Sequence, residues 1–477
     1  MNWRASPWFG VFSVVFTGGL FLVSLDVGPA GPLALLAPVP LLIYALSAPR
    51  AITVALAAAG ARAVGLVGIV YVYDDFPLPA MLAFVAVFSL MYAGVVLLTR
   101  WLSRNTSPAA AVFSYPLLLV ASEFLFGLIS PHGSFGAMGY ALVDVLPLLQ
   151  VASVGGVPAL TFCIALAPMT VALAIAWPKH WRSAVIAGAT PLVLIACAGA
   201  LRLNQSYDSK TRVALVGLDK YEGRAYRNET EALETARAFA GEVHKLALEK
   251  PKFIVAPEKQ FGGAREAGAS SALLAEAVAG QPVTLVAGFD EVIADSTRVN
   301  SAQVFAPGKS LQRYVKRRLI PGLELGYSRG AGPLVMDTQG VAICKDMDFP
   351  AMIRGYGERG VDLLLVPAWD FVRDGRLHSR MALVRGVENG FAIARSAAAG
   401  RLTASDRYGR VIAEATTSAV APVTVVTDLG LREGGTWYLK LGDAFAWVCL
   451  TVLALLLAWP TIRSRTSGGG HGLTSQR

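Results

Sequence analysis

The first two-fifths of the chain is a succession of apolar runs separated by short polar or Pro/Gly-bearing breaks. Seven runs stand out, over 8–25, 32–47, 51–73, 80–99, 109–129, 157–177 and 183–201. A helix needs about 20 apolar residues to cross ~30 Å of hydrocarbon, so the pattern predicts seven spans. The second is short and the third carries Arg62. No cleavage pattern precedes the first run, which reads as a retained span and not a removable leader. An eighth run, 443–459, follows a long polar middle and predicts a closing span. The segment between, 130–156, is too apolar for a plain loop and predicts an element lying on the membrane surface, broken by Pro147.

The middle, 207–440, has a different grammar. "TRVALVGLD", "KFIVAPE", "VTLVAGFDEV", "SAQVFAP", "VAICKDM", "VDLLLVPAW" and "FAIARSAAA" are short β-rich runs. Helical patterns such as "ETEALETARAFAGEVHKLALEK" and "HSRMALVRGVEN" alternate with them. Alternation of this kind means layered α/β, and Gly308 and Gly409 between paired runs add hairpins and hence a mixed sheet. Four regions follow: a transmembrane bundle over 1–205, an exterior α/β domain over 206–440, a closing helix over 441–462 and a Gly/Ser-rich disordered tail over 463–477.

Composition supports the membrane reading. Only 16% of the 477 residues are charged, against about 25% in soluble domains, and the mean hydropathy is +0.52. Forty-seven glycines without a triplet period exclude a collagen-like chain, and four cysteines are too few for a disulfide scaffold. The net charge of +9 comes without a basic block interleaved with aromatics, so no nucleic-acid partner is expected. Instead the cations cluster in alternate short loops: Arg4, Arg50, Arg100 with Arg104, and Lys179 with Arg182. Positive loops stay in the cytoplasm. Asp26, Asp74 and Asp75 then fall outside, seven spans deliver the polar middle to the exterior, and the last span returns Arg463 and Arg465 to the cytoplasm. Glu123 lies inside the fifth run, where an acid is either functional or close enough to the span end to reach the interface.

Three residues of the middle region could carry chemistry: Glu258 closing "FIVAPE", Lys316 in "LQRYVKRRLIPGLE" and Cys344 in "VAICKDMDFP". Singly each has a plain structural reading: an inert core thiol, a solvated turn acid, and one cation among Arg313, Arg317 and Arg318 facing anionic headgroups. Together, in this order, they resemble the Glu-Lys-Cys triad of the nitrilase, or carbon-nitrogen hydrolase, superfamily. With the spans around them, almost the whole chain resembles the bacterial apolipoprotein N-acyltransferase family. "LIPGLE" is similar to that family's loop and places Glu324 at its second glutamate, while "VNSAQVF", "VPAWDF", "LPLLQVASVGGVPALTF" and the block beginning "HSRMALVRGVENG" are similar to further family segments. The chain departs from the family where Lys345 and Asp346 follow Cys344 in place of Tyr-Glu. Ala256 and Lys259 flank Pro257 and Glu258 in place of Trp and Thr, and Gly322 with Leu323 replaces Phe-Gly.

The resemblance implies a membrane helical bundle carrying a nitrilase-like α-β-β-α sandwich. It further implies transfer of an acyl chain from a phospholipid, through a thioester on Cys344, to the α-amino group of the lipidated N-terminal cysteine of a lipoprotein. A thiolate is the strongest nucleophile near neutral pH, Glu258 is suited to general acid–base work, and Lys316, with the backbone N–H of Lys345, to the oxyanion. Glu324, Tyr327, Lys345 and Trp369 are expected at the substrate or its loop, and the glycine-bearing segment 319–332, with Leu319, Leu323 and Leu325, as a lid. His378 opens a helix and is not expected to be catalytic. No metal-ligand spacing or phosphate loop is visible, so no metal and no cofactor are expected. The implied setting is a monomer in the bacterial inner membrane, its catalytic domain periplasmic and its partners a phospholipid donor and a lipoprotein acceptor. The alternative is a membrane-anchored amidohydrolase that uses the same triad with water as acceptor.

Overall fold

The computed structural model describes residues 3–25, 28–219, 229–262, 267–293 and 297–467. Asp26, the side chains of Arg463 and Arg465, and the tail beyond Ser467 lie outside the described residues.

The apolar runs are helices: α1 (Pro7–Ser24), α2 (Val39–Ser47), α3 (Ala51–Gly65) continued by α4 (Val67–Val72), and α5 (Leu78–Arg104). A one-turn α6 (Pro108–Ala111) leads into α7 (Ser114–Ile129), a short α8 (Leu146–Leu149) into α9 (Ala152–Ala176), and α10 (Trp181–Leu203) closes the series. Among the described residues six stretches are long and apolar enough to cross a membrane, whereas Gly31–Ser47 and Ala444–Ala458 are shorter. The chain is therefore a multi-pass membrane protein. Seven spans were expected, the second of them short; that run yields only a nine-residue helix, because Pro32 and Pro38 keep its first part out of the α-helix.

That short run still traverses the bundle. Ala30 N–H donates to the Val23 carbonyl near the end of α1 at 2.9 Å, Ser13 Oγ reaches the Pro40 carbonyl at mid-helix at 3.1 Å, and Tyr44 meets Phe9 at the start of α1. Its last carbonyls, those of Ala45 and Ala48, accept from Arg100 Nη1 at 2.5 and 2.6 Å. A segment buried among other helices needs neither full length nor an apolar surround, since its neighbours satisfy its ends. Arg50, Arg100, Arg104 and Lys179 consequently gather at one end of the bundle, and the α/β domain sits at the other.

The domain runs β1 (Ser209–Gly217), α11 (Glu229–Leu248), β2 (Phe253–Val255), α12 (Ala267–Ala277), β3 (Thr284–Val292), β4 (Arg298–Phe305) and β5 (Gln312–Val315). Then come β6 (Leu334–Met336), β7 (Gln339–Val341), α13 (Pro350–Gly357), β8 (Leu363–Trp369), α14 (Gly375–Asn389) and β9 (Ala392–Ala398). The chain finishes with β10 (Arg401–Ser405), β11 (Val411–Thr416), β12 (Val423–Leu431), α15 (Trp437–Leu441) and α16 (Ala444–Ser467). Two six-stranded mixed sheets result, ordered β12-β1-β2-β3-β4-β5 and β11-β10-β9-β8-β7-β6. Val213, Leu215, Val286, Leu363 and Ala394 interdigitate between them. Phe239 and Leu246 of α11 cover the first sheet outside, and Ile353 and Tyr356 of α13 the second. This is an α-β-β-α sandwich.

Helix α14 fastens the sandwich to the membrane bundle, because its Leu377, Met381 and Val387 belong to the same apolar core as α9. The segment 138–149, expected on the membrane surface, is a pair of short helical turns wedged into this junction, where Gln150 Nε2 donates to the Tyr408 carbonyl at 2.9 Å. Within α9 the backbone breaks at Gly156, whose φ of 65° and ψ of −162° free the Val157 N–H to donate to Glu388 Oε1 at 2.9 Å. A Cβ at Gly156 would lie 2.6 Å from the Tyr438 ring. Gly156→Ala combines a forbidden backbone conformation with that clash and is expected to destabilise the protein by about 2 kcal/mol or more. A thermal melt in detergent measures it, and an unchanged midpoint would mean that the junction relaxes freely.

Candidate active site

Three strand ends converge between the sheets on one edge of the sandwich. After β2 the chain turns through Ala256 and Pro257 to Glu258, whose N–H donates to the Ala368 carbonyl at 3.1 Å. Gly288 of β3 permits this turn, since a Cβ there would stand 2.4 Å from Glu258 Cα. Lys316 follows β5 directly and is tied by its N–H to the Asn300 carbonyl at 2.8 Å. Beyond β7, Cys344 occupies a left-handed conformation (φ 36°) at the start of a 3₁₀ turn, Cys344–Asp348. A non-glycine residue held there signals an elbow that exposes its side chain at a cost in strain.

Asp346 holds this elbow against the Lys316 segment. Its carboxylate accepts from Ile343 N–H at 3.0 Å, Tyr314 Oη at 2.7 Å, Arg318 N–H at 2.9 Å and Arg317 N–H at 3.2 Å. Burial raises this acid, to about 6 against those bonds.

Lys316 is the hub of the polar cluster and is fully buried. Its Nζ stands 2.7 Å from Glu258 Oε1 and 3.0 Å from Glu324 Oε2. Asn300 Nδ2 donates to Oε1 of both carboxylates, at 2.5 and 2.6 Å, and Lys259 Nζ pairs with Glu324 at 2.8 Å. Burial works against the Lys316 charge, but Glu258 and Glu324 override it and hold the ammonium well above the usual lysine range. Glu324 is likewise raised by burial and then lowered further by Lys316 and Lys259, ending near about 2. Both therefore remain charged at neutral pH. Glu258 Oε2, by contrast, is buried and accepts no hydrogen bond from the described residues, so one oxygen is fixed and the other retains its lone pairs.

Cys344 Sγ lies 3.4 Å from the Trp369 carbonyl. Burial, then the Glu258 charge, raises its thiol well above the ordinary range, with Lys316 and Arg395 opposing. At rest it is a thiol beside a carboxylate, an arrangement in which proton transfer to the acid accompanies attack.

In front of Cys344 is a cavity of about 290 Å³ between the sandwich and the membrane helices. Ile69, Phe84, Phe88 and Phe126 of the bundle form its apolar wall, and Cys344, Lys345, Trp369 and Phe371 its domain side. From the glycine-bearing loop, Ile320 and Pro321 reach the cavity. Leu323 and Leu325 are instead 50% and 78% exposed. Tyr327 donates to Asp290 at 2.9 Å under Lys259 and Arg298, and is not among the lining residues. Glu123 belongs to a neighbouring cavity behind Phe88 and Phe126, where it accepts from Met138 N–H at 2.9 Å and Thr161 Oγ1 at 2.7 Å. Asn300 of "VNSAQVF", Asp348 of "VAICKDMDFP" and Lys259 beside Glu258 join the site although no role was expected of them, and His132 joins it unannounced by any motif.

A twin-sheeted sandwich with these three strand ends, set on a helical bundle, defines a membrane-bound enzyme of the carbon-nitrogen hydrolase superfamily, whose family model matches residues 212–438. The model of the apolipoprotein N-acyltransferase N-terminal domain matches residues 17–170, and the chain belongs to the apolipoprotein N-acyltransferase family within that superfamily. A curated relative, the apolipoprotein N-acyltransferase of Geobacter metallireducens, is 27% identical over 391 residues, covering 73% of this chain and 74% of its own. Among solved structures, a nitrilase-superfamily amidase from Nesterenkonia is 19% identical over 49% of this chain and 95% of its own, at a TM-score of 0.41. Nit3 of Saccharomyces cerevisiae is 21% identical over 48% of this chain and 92% of its own, also at 0.41.

Proposed function

We propose that the protein is an N-acyltransferase that moves an acyl chain from a phospholipid, by way of a Cys344 thioester, to the α-amino group of a lipidated N-terminal cysteine on a lipoprotein. The observation that carries this reading is a buried thiol, beside a lysine-bridged carboxylate pair, opening into a cavity walled by membrane helices. In the first half-reaction Glu258 takes the thiol proton as Sγ bonds to the ester carbon. Lys316 and the Lys345 N–H stabilise the oxyanion. The carbon–oxygen bond to glycerol then breaks, and Glu258 returns the proton to the leaving alkoxide. In the second half-reaction Glu258 takes a proton from the amine as it attacks the thioester; the carbon–sulfur bond breaks and the thiolate is reprotonated.

Both substrates are anchored in lipid, so a site at the bundle's end replaces a three-dimensional search by lateral encounter. Positive loops at the opposite end favour a periplasmic site on the bacterial inner membrane. The decisive experiment incubates the purified protein with acyl-labelled phospholipid, isolates the acyl-enzyme, and challenges it with a diacylglyceryl-peptide amine or with water. Amide formation outpacing fatty-acid release is expected; the reverse would make the protein an amidohydrolase. Water exclusion depends on the cavity's apolar cover. Ile320→Asn is therefore expected to shift the ratio of hydrolysis to transfer roughly tenfold towards hydrolysis, about 1.4 kcal/mol of relative barrier.

A further inference from the structure

The cavity before Cys344 is apolar on its membrane side, yet one lysine and two histidines line it near the nucleophile: Lys345, His132 and His378. Lys345 Nζ donates to Asp348 Oδ2 at 2.7 Å and to His132 Nδ1 at 3.0 Å. An ammonium has three N–H bonds, so one is left over. Since lysine only donates, His132 Nδ1 accepts, and the ring proton sits on Nε2 as a further donor. Burial and then Lys345 lower His132 to about 4, which keeps it neutral. His378 pairs through Nε2 with Asp374 Oδ2 at 2.9 Å. Burial lowers its basicity but Asp374 more than restores it, to about 9, so that at neutral pH the Nδ1–H is also a donor.

All three side chains surround one ring. The Phe135 centroid lies 5.9 Å from Lys345 Nζ, 5.9 Å from the His378 ring and 6.4 Å from the His132 ring. Their counter-ions are hidden: Asp348 and Asp374 are buried behind them, and among the described residues no Asp or Glu lines this cavity. The charges the cavity presents are thus cationic, in surroundings where they act strongly. Fastening the 130–135 loop to the domain explains the one bond that Lys345 donates to His132, together with the Ser134–Asp348 link. It does not explain the donors left over.

We propose that Lys345, His132 and His378 bind the phosphodiester of the acyl-donor lipid and so select a phospholipid over a neutral acylglycerol. Resting on the acyltransferase reading, the inference adds which part of the donor is recognised and by which residues. A phosphodiester offers two anionic oxygens to such donors. Glycerol separates it from the ester carbon by only a few bonds, and Lys345 follows Cys344 directly in the chain.

The test uses the full-length protein in mixed micelles with two acyl-labelled donors of the same chains, phosphatidylglycerol and diacylglycerol, and reads acyl-enzyme by intact mass. Wild type is expected to acylate about tenfold or more faster from phosphatidylglycerol, and Lys345→Met and His378→Gln each to shrink that preference about tenfold. Because the readout is a ratio between donors, partial misfolding does not imitate it; and because Lys345 also fastens the loop, His378→Gln is the independent variant. Equal rates from both donors in wild type, or variants that slow both donors by one factor, would overturn the assignment while leaving the acyltransferase reading intact. No acyl-enzyme from either donor would overturn both. Inorganic phosphate added with diacylglycerol tests the other source of the same chemistry. No gain in rate is expected, whereas a rise to the phospholipid rate would assign the site to the free ion instead.

Discussion

Cys344→Ala is expected to abolish acyl-enzyme formation, and Cys344→Ser to lower it by about 10³-fold or more, with folding retained in both. The thiol is raised by burial and by Glu258, yet it still starts far closer to ionisation than a serine hydroxyl. Glu258 can take the proton from sulfur during attack but is too weak a base to activate an alcohol in the same position. Volume and hydrogen-bonding capacity at the elbow change little, so melting in detergent should move by only a few degrees. Glu258→Gln gives a sharper result because its two effects have opposite signs. Removing the carboxylate removes a charge that raises Cys344, so alkylation by iodoacetamide at a fixed mildly alkaline pH should become faster. Acyl transfer should nevertheless fall by about 10²- to 10⁴-fold with the proposed general base gone. Slower alkylation together with retained transfer would remove Glu258 from the reaction. Turnover surviving in Cys344→Ala would require another nucleophile, although Cys163 and Cys449 are buried in the helices and Cys197 lies on a helix that crosses the membrane.

The parts of this molecule legible beforehand are those in which one physical demand acts on many consecutive residues. A membrane span must be apolar throughout, and a strand buried on both sides reads as a run such as "LLLVPAW". Where the demand is carried by few residues, the signal disappears. The three-residue strands β6 and β7 have no measurable period, and the run 32–47, legible as a span, shows nothing of the hydrogen bonds from Ser13 and Arg100 that hold the short α2 in place. The site divides in the same way. Glu258, Lys316 and Cys344 each follow a strand end, so their order along the chain could be read against a known pattern. His132 meets Lys345 across 213 positions and two different parts of the fold, and a single His in a short polar loop announces nothing. Asp346 looked like a departure beside the nucleophile, yet it accepts four hydrogen bonds that tie the elbow to the lysine segment. The part of the loop that lines the cavity is illegible for a similar reason. Leu323 and Leu325 are the more apolar choice by composition, but the turn after Pro321 carries them outward and leaves Ile320 and Pro321 facing the cavity.

Lys316→Met should have the largest effect on stability of any single change at the site. Its ammonium stands between two buried carboxylates, and removing one partner of a buried ion pair costs about 3–5 kcal/mol, because the desolvated charges left behind cannot be relieved by water. Glu324 keeps Lys259 at 2.8 Å, whereas Glu258 keeps only Asn300, so Glu258 becomes the uncompensated acid. A pH dependence follows from Glu324. In the wild type, Glu324 is held below its unfolded value; its contribution is present above the ordinary carboxylate range, about pH 4.3, and is lost as pH falls towards about 2. Adding Glu258→Gln to Lys316→Met removes the uncompensated charge and should recover most of the lost stability at neutral pH without recovering any acyl transfer. If the double variant melts no higher than Lys316→Met alone, the lost stability comes from packing around the lysine stem and not from the uncompensated buried charge of Glu258.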